Sequence, residues 1–141
     1  MSQPVHATVV ARRDPVLSWR AAALWGEPGV GKSDLALRLI GMGWSLVADD
    51  YAHLFASAGR LYARAPDTIA GRMEVRGVGI LPVRTLDLAR VVLAVDLALE
   101  PVERLPEPGF RTLEGVSVPL LRLDPREASA GEKVAAMIAR L

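Results

Sequence analysis

The octapeptide Gly26-Glu27-Pro28-Gly29-Val30-Gly31-Lys32-Ser33 constrains the fold of this chain more than any other segment. It matches G-x-x-x-x-G-K-[ST], the phosphate-binding loop that connects a buried strand to a helix. The glycines allow backbone N–H groups to surround phosphate oxygens, Lys32 supplies a positive charge, and Ser33 supplies a hydroxyl for Mg²⁺. The motif therefore predicts a strand–loop–helix unit that binds a nucleoside triphosphate.

The sequence on either side of the loop has the pattern that this unit requires. Ala21–Trp25 is an apolar run typical of a buried strand. After the loop, leucine and isoleucine recur at helical spacing up to Gly41, which favours a helix end there. The positive end of this helix dipole would face the bound phosphates.

Composition limits the classes of protein to which the chain can belong. Its 141 residues carry 17 basic and 16 acidic side chains, which predicts one domain over residues 1–141 and gives no electrostatic case for nucleic acid or an anionic membrane. Cysteine is absent, so disulfides and thiolate metal sites are excluded and a reducing cytoplasm is expected. The N-terminus has no signal-peptide pattern and the longest apolar run, Val91–Leu99, is short, so we expect a soluble, cytosolic protein.

The remaining sequence predicts further strands and one more helix around the loop. Val5–Ala11 and Val16–Trp25 are predicted as successive strands, with His6 at the start of the first. Ser45–Ala48 is predicted as a buried strand that ends in Asp49-Asp50. Downstream, the predicted elements are a hairpin of Ala52–Ala56 and Leu61–Ala63, a ligand-binding loop at Gly71–Ile80, strands at Val91–Leu97 and Val116–Leu123, and a capped helix from Ser129 to Leu141.

Two strand ends offer a carboxylate to a metal ion or a reacting hydroxyl. Val91–Asp96 resembles a Walker B strand, whereas Asp49 and Asp50 form an adjacent pair. Because neighbouring side chains of a strand point to opposite faces, the pair can divide the work. One carboxylate would face the reacting phosphate as a base, and the other a metal-bound water or a positioning group. The pattern alone does not choose between the two strand ends.

Three segments, Gly26–Ser33, Ser45–Asp50 and Met73–Gly79, resemble the bacterial HPr kinase/phosphorylase family, and the last is its signature segment. The resemblance implies an α/β fold, a single P-loop domain with a mixed central sheet, flanking helices and a C-terminal helix. It also implies transfer of phosphate from ATP to a serine of HPr, the phosphocarrier protein of the phosphotransferase system, with Mg²⁺. In the reverse reaction, the family moves phosphate from phosphoserine to inorganic phosphate and produces pyrophosphate.

The resemblance assigns roles to individual residues of this chain. It places Lys32 on the β- and γ-phosphates, and Ser33 and Glu74 on Mg²⁺. It makes Asp50 the proton acceptor from the substrate serine, supported by Asp49.

Further roles follow from the same resemblance. Two more positions match catalytic residues, His6 and Arg104, of which Arg104 would contact the transferring phosphoryl group. Arg76 would support the loop or the substrate, and Asp96, which has no counterpart in the family, is expected to be structural.

The chain also departs from the family pattern. It resembles the short forms that have only the catalytic domain, and the hexamer of the family predicts a homo-oligomer. Leu123-Asp124-Pro125-Arg126 replaces a basic, glycine-containing stretch, and Pro82 stands where an acidic residue is common, so kinase activity is the firmer expectation than phosphorolysis. Two alternatives stay open, a small-molecule P-loop kinase and a regulator that senses ATP without catalysis.

Overall fold

The computed structural model describes residues 3–16, 18–66 and 71–141, and within these ranges it contains ten strands and two helices. The strands are β1 (Thr8–Asp14), β2 (Ser18–Trp25), β3 (Ser45–Ala48), β4 (His53–Ser57), β5 (Arg60–Arg64), β6 (Arg72–Val75), β7 (Gly79–Pro82), β8 (Ala89–Leu97), β9 (Gly109–Leu113) and β10 (Val116–Leu123). The helices are α1 (Lys32–Gly41) and α2 (Ala130–Ala139). Both are ten residues long, and in the described part of the chain no helix is long and apolar enough to cross a membrane.

Eight strands form one mixed sheet, in which the main order is β3-β1-β2-β8-β10-β9. Strand β5 pairs with the start of β8 and with β4, while β6 and β7 form a separate hairpin. Strands β2, β8 and β10 are parallel, and β1 lies antiparallel between β2 and β3. The carboxyl ends of β3, β2, β8 and β10 therefore meet at one edge of the sheet, where ligands bind in open α/β folds.

The sheet is buried on both faces, which explains the apolar strand sequences. Helices α1 and α2 cover one face with buried side chains that include Leu35, Leu39 and Val134. The β4–β5 hairpin covers the other face with Leu54 and Leu61. The central strand β2 is consequently a nearly continuous apolar run, as expected for a strand enclosed on both sides.

Arginine side chains donate to backbone carbonyls near the C-terminal ends of both helices. The buried guanidinium of Arg20, on β2, donates to the carbonyl of Ile138 at 3.2 Å near the end of α2. Arg84, in the segment after β7, donates to the carbonyl of Ile40 in the last turn of α1 and to that of Trp44, which follows the helix. The carbonyls of Ile40 and Ile138 also accept backbone N–H groups from Gly43 and Leu141, so each arginine adds a second donor at a helix end.

The predicted α/β P-loop class, with a mixed sheet, flanking helices and a C-terminal helix, is confirmed. The predicted first strand is displaced: β1 begins at Thr8, because Val5 pairs only with Ala52 in an isolated bridge. His6 therefore lies in a bend before β1, not at the start of a strand. Strand β9 has no counterpart among the predicted elements.

Two other predicted segments also differ in the structure. The segment Gly71–Ile80 forms most of the β6–β7 hairpin, whose turn contains Gly77 at φ 84°, so the prediction of a loop was wrong. The predicted capping box is also absent: with φ −90° and ψ 12°, Ser129 makes no side-chain capping bond with the described residues. Helix α2 ends at Ala139, two residues earlier than predicted.

Candidate active site

The phosphate loop lies between β2 and α1 at the carboxyl edge of the sheet. Gly29 and Gly31 have φ angles of 80° and 115°, which side chains strongly disfavour. A Cβ atom on Gly26 would lie 2.6 Å from Val30 Cγ1 and 2.9 Å from the carbonyl oxygen of Leu97. The loop therefore requires glycine at positions 29 and 31 for the backbone conformation, and at position 26 because a side chain has no space there.

Lys32 is buried although it is charged, and its ammonium group has specific partners. Its Nζ donates to the carbonyl of Gly26 at 2.8 Å and to that of Glu27 at 3.3 Å. The side chain thus folds back across the loop from the first turn of α1. Lys32 lines the same cleft as the loop glycines and the first turn of α1, so a positive charge and a helix N-terminus face one cavity, an arrangement suited to an anion.

Asp49, which follows β3, is hydrogen-bonded to the loop. Its Oδ1 accepts from Ser33 Oγ at 2.7 Å and from Thr8 Oγ1 at 3.2 Å. The motif hydroxyl and the first carboxylate of the Asp pair are therefore in direct contact. This contact joins segments 16 residues apart in sequence.

Asp50 has a different set of partners and a strained backbone. Its φ is 70°, a left-handed value that Asp tolerates better than most residues. Its backbone N–H donates to Thr8 Oγ1 at 3.1 Å, and its Oδ1 lies 2.5 Å from His6 Nε2. The His6 ring stacks on Tyr51, with centroids 5.0 Å apart. Thr8 thus holds the backbone N–H of Asp50, and His6 holds its carboxylate.

Glu74 reaches the site from the β6–β7 hairpin. Its neighbour Met73 is only 1% exposed and packs in the core beneath α1, so the alternation of β6 turns Glu74 outward. A cleft of about 770 Å³ is lined by Glu74, the phosphate loop and Asp49. Its other lining residues include His6, Asp50, Tyr51, Arg76, Pro125 and Arg126.

A second cleft, of about 870 Å³, opens on the other side of the Asp pair. It is lined by Pro4, β3, Arg64, Arg72, Ile80 and the segment 85–87. Asp49, Asp50, Tyr51 and Glu74 line both clefts. A carboxylate at this junction can contact molecules that enter from either side.

The residues present fit a magnesium ion bound together with phosphates. Ser33, Asp49 and Glu74 line one cleft and offer only oxygen atoms, which Mg²⁺ prefers. The described residues include no group of three or more His, Cys, Asp or Glu side chains that could hold a metal without further ligands. A site completed by substrate oxygens and water is typical of Mg²⁺ in nucleotide-binding proteins.

Two residues considered from the sequence lie elsewhere. Asp96, at the end of β8, forms an ion pair with Arg111 at 3.5 Å, and the Arg111 guanidinium lies 5.3 Å from the Trp25 ring centroid. Arg104 is exposed in the segment between β8 and β9, and in the described parts of the chain it lines neither cleft. The structure thus brings together Lys32, Ser33, the Asp pair, His6 and Glu74, but not Arg104.

Sequence patterns did not indicate that four further residues line or support the site. Thr8 is a lone polar residue in an apolar strand, and its two contacts join residues more than 40 positions apart. Tyr51 follows the Asp pair without any motif of its own. Pro125 and Arg126 could have been noticed as the carboxyl end of a strand, where ligand-contacting loops lie.

The chain is similar to known proteins over the segment that carries most of these residues. Residues 22–96, just over half of the chain, match the family model described as the HPr Serine kinase C-terminal domain. The matched range includes the phosphate loop, the Asp pair and Glu74. His6, Arg104 and Arg126 lie outside it.

Individual relatives and one solved structure show the same similarity. HPr kinase/phosphorylase from Leptothrix cholodnii is 38% identical over 109 residues, 67% of this chain and 34% of the relative. The corresponding protein from Clostridium beijerinckii is 44% identical over 75 residues, 52% of this chain and 25% of the relative. The matches thus span about a third or less of these relatives. The structure of the Hpr(Ser) kinase/phosphatase from Coxiella burnetii superposes with a TM-score of 0.81 at 23% identity, covering 99% of this chain and 95% of that chain, which shows a common fold.

Proposed function

The chain belongs to the HPr serine kinase C-terminal domain family, and on this premise we propose that it transfers the γ-phosphoryl group of ATP to a serine of an HPr-like carrier protein. The observation that carries the proposal is the position of Asp50. Asp50 lines both the cleft that contains the phosphate loop, the nucleotide cleft, and the second cleft, so its carboxylate is within reach of both a phosphoryl donor and an acceptor. Such a carrier would link the reaction to regulation of the phosphotransferase system.

In the proposed reaction, Asp50 accepts the proton of the substrate serine as the serine oxygen bonds to the γ-phosphorus. The bond from the γ-phosphorus to the bridging oxygen breaks, and ADP leaves with the electron pair. His6, hydrogen-bonded to Asp50 Oδ1, orients the carboxylate toward the serine. Lys32 and the N–H groups of the loop stabilise the negative charge on the phosphate oxygens.

Ser33, Asp49 and Glu74 are the proposed magnesium-binding residues of the cleft. When bound, Mg²⁺ would neutralise charge on the β- and γ-phosphate oxygens. Asp49 also accepts the hydrogen bond of Ser33, so it fixes the hydroxyl at the mouth of the loop. In the reverse direction Asp50, once protonated, would return its proton to the serine oxygen while inorganic phosphate takes the phosphoryl group as pyrophosphate.

The second cleft favours a protein acceptor over the small-molecule alternative. The β6–β7 hairpin beside it exposes apolar side chains: Ile80, which lines the cleft, is 67% exposed, and Val78, in the hairpin turn, is 68% exposed. Exposed apolar groups beside a cleft are typical of surfaces that contact another protein. Asp50, Tyr51 and Glu74 would then meet a serine presented on the carrier surface.

Arg104 enters this proposal through a homo-oligomer. Because Arg104 lies outside both clefts of its own chain, we propose that it contacts the phosphoryl group bound by a neighbouring copy. Mixing the variants Asp50→Asn and Arg104→Ala should then restore transfer that neither variant has alone. If both variants are inactive and their mixture is inactive too, Arg104 does not act on the phosphoryl group of a neighbouring copy. If Arg104→Ala alone is active, Arg104 has no catalytic role.

The kinase assignment is tested by intact-mass measurement of an HPr-like carrier incubated with the chain, ATP and Mg²⁺, beside a carrier whose acceptor serine is alanine. One phosphoryl group should be added to the wild-type carrier only. Asp50→Asn should abolish the addition and retain ATP binding, whereas Asp96→Asn should retain both. An unmodified carrier with intact ATP binding would reject the carrier as substrate and favour the small-molecule or sensor alternatives.

A further inference from the structure

The segment Asp124–Glu127 borders the nucleotide cleft from the side opposite to the Asp pair. It follows β10. In the sheet order, β10 lies two strands from β2 on one side, and β3, which ends in the Asp pair, lies two strands from β2 on the other side. With about 4.8 Å between strands, each lies roughly 10 Å to one side of the phosphate loop. The loop is thus flanked by carboxylates for transfer on the β3 side and by Pro125 and Arg126 on the β10 side.

This segment is fixed against the phosphate loop and α1. The guanidinium of Arg38, on α1, donates to the carbonyl of Glu127 at 3.2 Å and to the carbonyl of Pro125. The ring atoms of Pro125 lie 3.6 Å from where a Cβ atom on Gly31 would stand. Pro125 therefore forms a wall of the cleft directly beside the loop that holds the phosphates.

The Arg126 side chain has a defined orientation although it is 63% exposed. Its Nε and Nη2 donate to the two carboxylate oxygens of Asp124, at 3.1 and 2.8 Å, and Nη2 also donates to the carbonyl of Leu99 at 3.1 Å. Hydrogen bonding from the Arg126 side chain holds the pKa of Asp124 below its ordinary value, and the same bond raises the pKa of Arg126. One edge of the guanidinium is thus occupied by Asp124 and Leu99, while the side chain lines the cleft and its planar face makes none of these hydrogen bonds.

We propose that Arg126 forms the nucleoside subsite, where the purine base of ATP stacks on the guanidinium plane. The inference rests on the proposed function for direction: if the γ-phosphate faces Asp50, the triphosphate crosses the loop and the nucleoside end emerges on the β10 side. Guanidinium planes stack readily on aromatic rings and nucleobases. Asp124 and Leu99 position the guanidinium before the nucleotide binds, which lowers the cost of ordering it.

The test compares two ligands that share phosphates but differ in the nucleoside. Dissociation constants for ATP and for inorganic tripolyphosphate, each with Mg²⁺, are measured by calorimetry on the whole chain. Arg126→Ala should raise the Kd of ATP about tenfold, as expected for loss of one stacked cationic contact, and should change that of tripolyphosphate less than about twofold. Arg126→Lys, which keeps the charge without the plane, should behave like Arg126→Ala. Arg60→Ala, in the exposed β4–β5 hairpin, is the matched control and should change neither.

Several outcomes overturn the inference. An equal loss of ATP and tripolyphosphate affinity would mean that Arg126 contacts phosphates, and unchanged ATP affinity would mean that it contacts no part of the nucleotide. A parent chain that binds neither ligand would overturn both this inference and the proposed function. An ATP-specific loss in Arg126→Ala, together with a carrier that stays unmodified, would support the nucleoside subsite and reject only the carrier as acceptor.

Discussion

Thr8 offers the sharpest test of how the fold positions the two carboxylates proposed to act in transfer. Its side chain is fully buried, and one hydroxyl serves both members of the Asp pair. Oγ1 donates to Asp49 Oδ1 and accepts from the backbone N–H of Asp50. Thr8→Val removes only the hydroxyl and preserves the shape of the side chain. We therefore predict that this variant loosens Asp50 without disturbing the packing of β1.

The expected magnitude follows from these two hydrogen bonds. Each contributes about 1 kcal/mol to stability, so the variant should lose about 2 kcal/mol in free energy of unfolding. At roughly 3 °C per kcal/mol for a chain near this size, Tm should fall by about 6 °C. Loss of the bond that holds Asp50 in its left-handed conformation removes about 1 kcal/mol of bias toward the reactive geometry. That bias corresponds to a reduction in kcat of roughly fivefold.

Two measurements decide the outcome. Thermal unfolding followed by circular dichroism gives the stability change, and steady-state phosphorylation of the carrier gives kcat, with the Kd of ATP expected to stay within about twofold of the parent. Thr8→Ser keeps the hydroxyl and should retain most of the parent kcat. If Thr8→Val has the parent kcat, the hydroxyl does not position Asp50 and the reasoning fails.

Four further predictions follow from other contacts. Gly26→Ala should abolish ATP binding, since its Cβ would clash with backbone, whereas Gly29→Ala has free space and should cost only about 1–2 kcal/mol of left-handed strain, as read from denaturant unfolding. Arg20→Met should lower the free energy of unfolding by about 2 kcal/mol because carbonyls at the end of α2 lose a charged donor. Glu74→Gln should raise the Mg²⁺ concentration for half-maximal activity at least tenfold, measured by Mg²⁺ titration. Hydrogen bonding from Arg126 lowers the pKa of Asp124, so the Asp124–Arg126 pair stays intact above the ordinary carboxyl pKa and is lost only as the pH falls below that pKa. The ratio of the ATP Kd of Arg126→Ala to that of the parent should therefore stay constant from about pH 6 to 9, as measured by calorimetry.

The parts of the site that were predictable from sequence depend on short segments. The phosphate loop is recognisable because eight consecutive residues determine its conformation, including the positive φ angles of Gly29 and Gly31. The Asp pair was predictable as the end of an apolar strand. The position of Thr8 was not, because its partners lie 41 and 42 residues away and their approach depends on the pairing of β1 with β3.

The β6–β7 hairpin shows why composition misled the prediction for Gly71–Ile80. Glycines and charges indicated a loop close to a ligand, but Gly77 and Gly79 serve the turn and the first residue of β7. The strand forms because Met73 inserts into the core and is buried there. Burial of one side chain, invisible to local composition, thus fixes β6 and sets the direction of Glu74.

The Asp96 position shows that a strand pattern does not determine which face a carboxylate takes. Strand β8 lies directly beside β2, and Asp96, its penultimate residue, is in register with Trp25 at the end of β2, just before the phosphate loop. Leu97 packs in the core beneath α1, and alternation therefore turns Asp96 to the opposite face, where it pairs with Arg111. Asp49 follows β3, which is separated from β2 by one strand and is therefore farther along the sheet than β8. Its Oδ1 nevertheless accepts the hydrogen bond of Ser33 in the phosphate loop. Facing direction, rather than distance along the sheet, therefore determines which carboxylate can serve the phosphate loop.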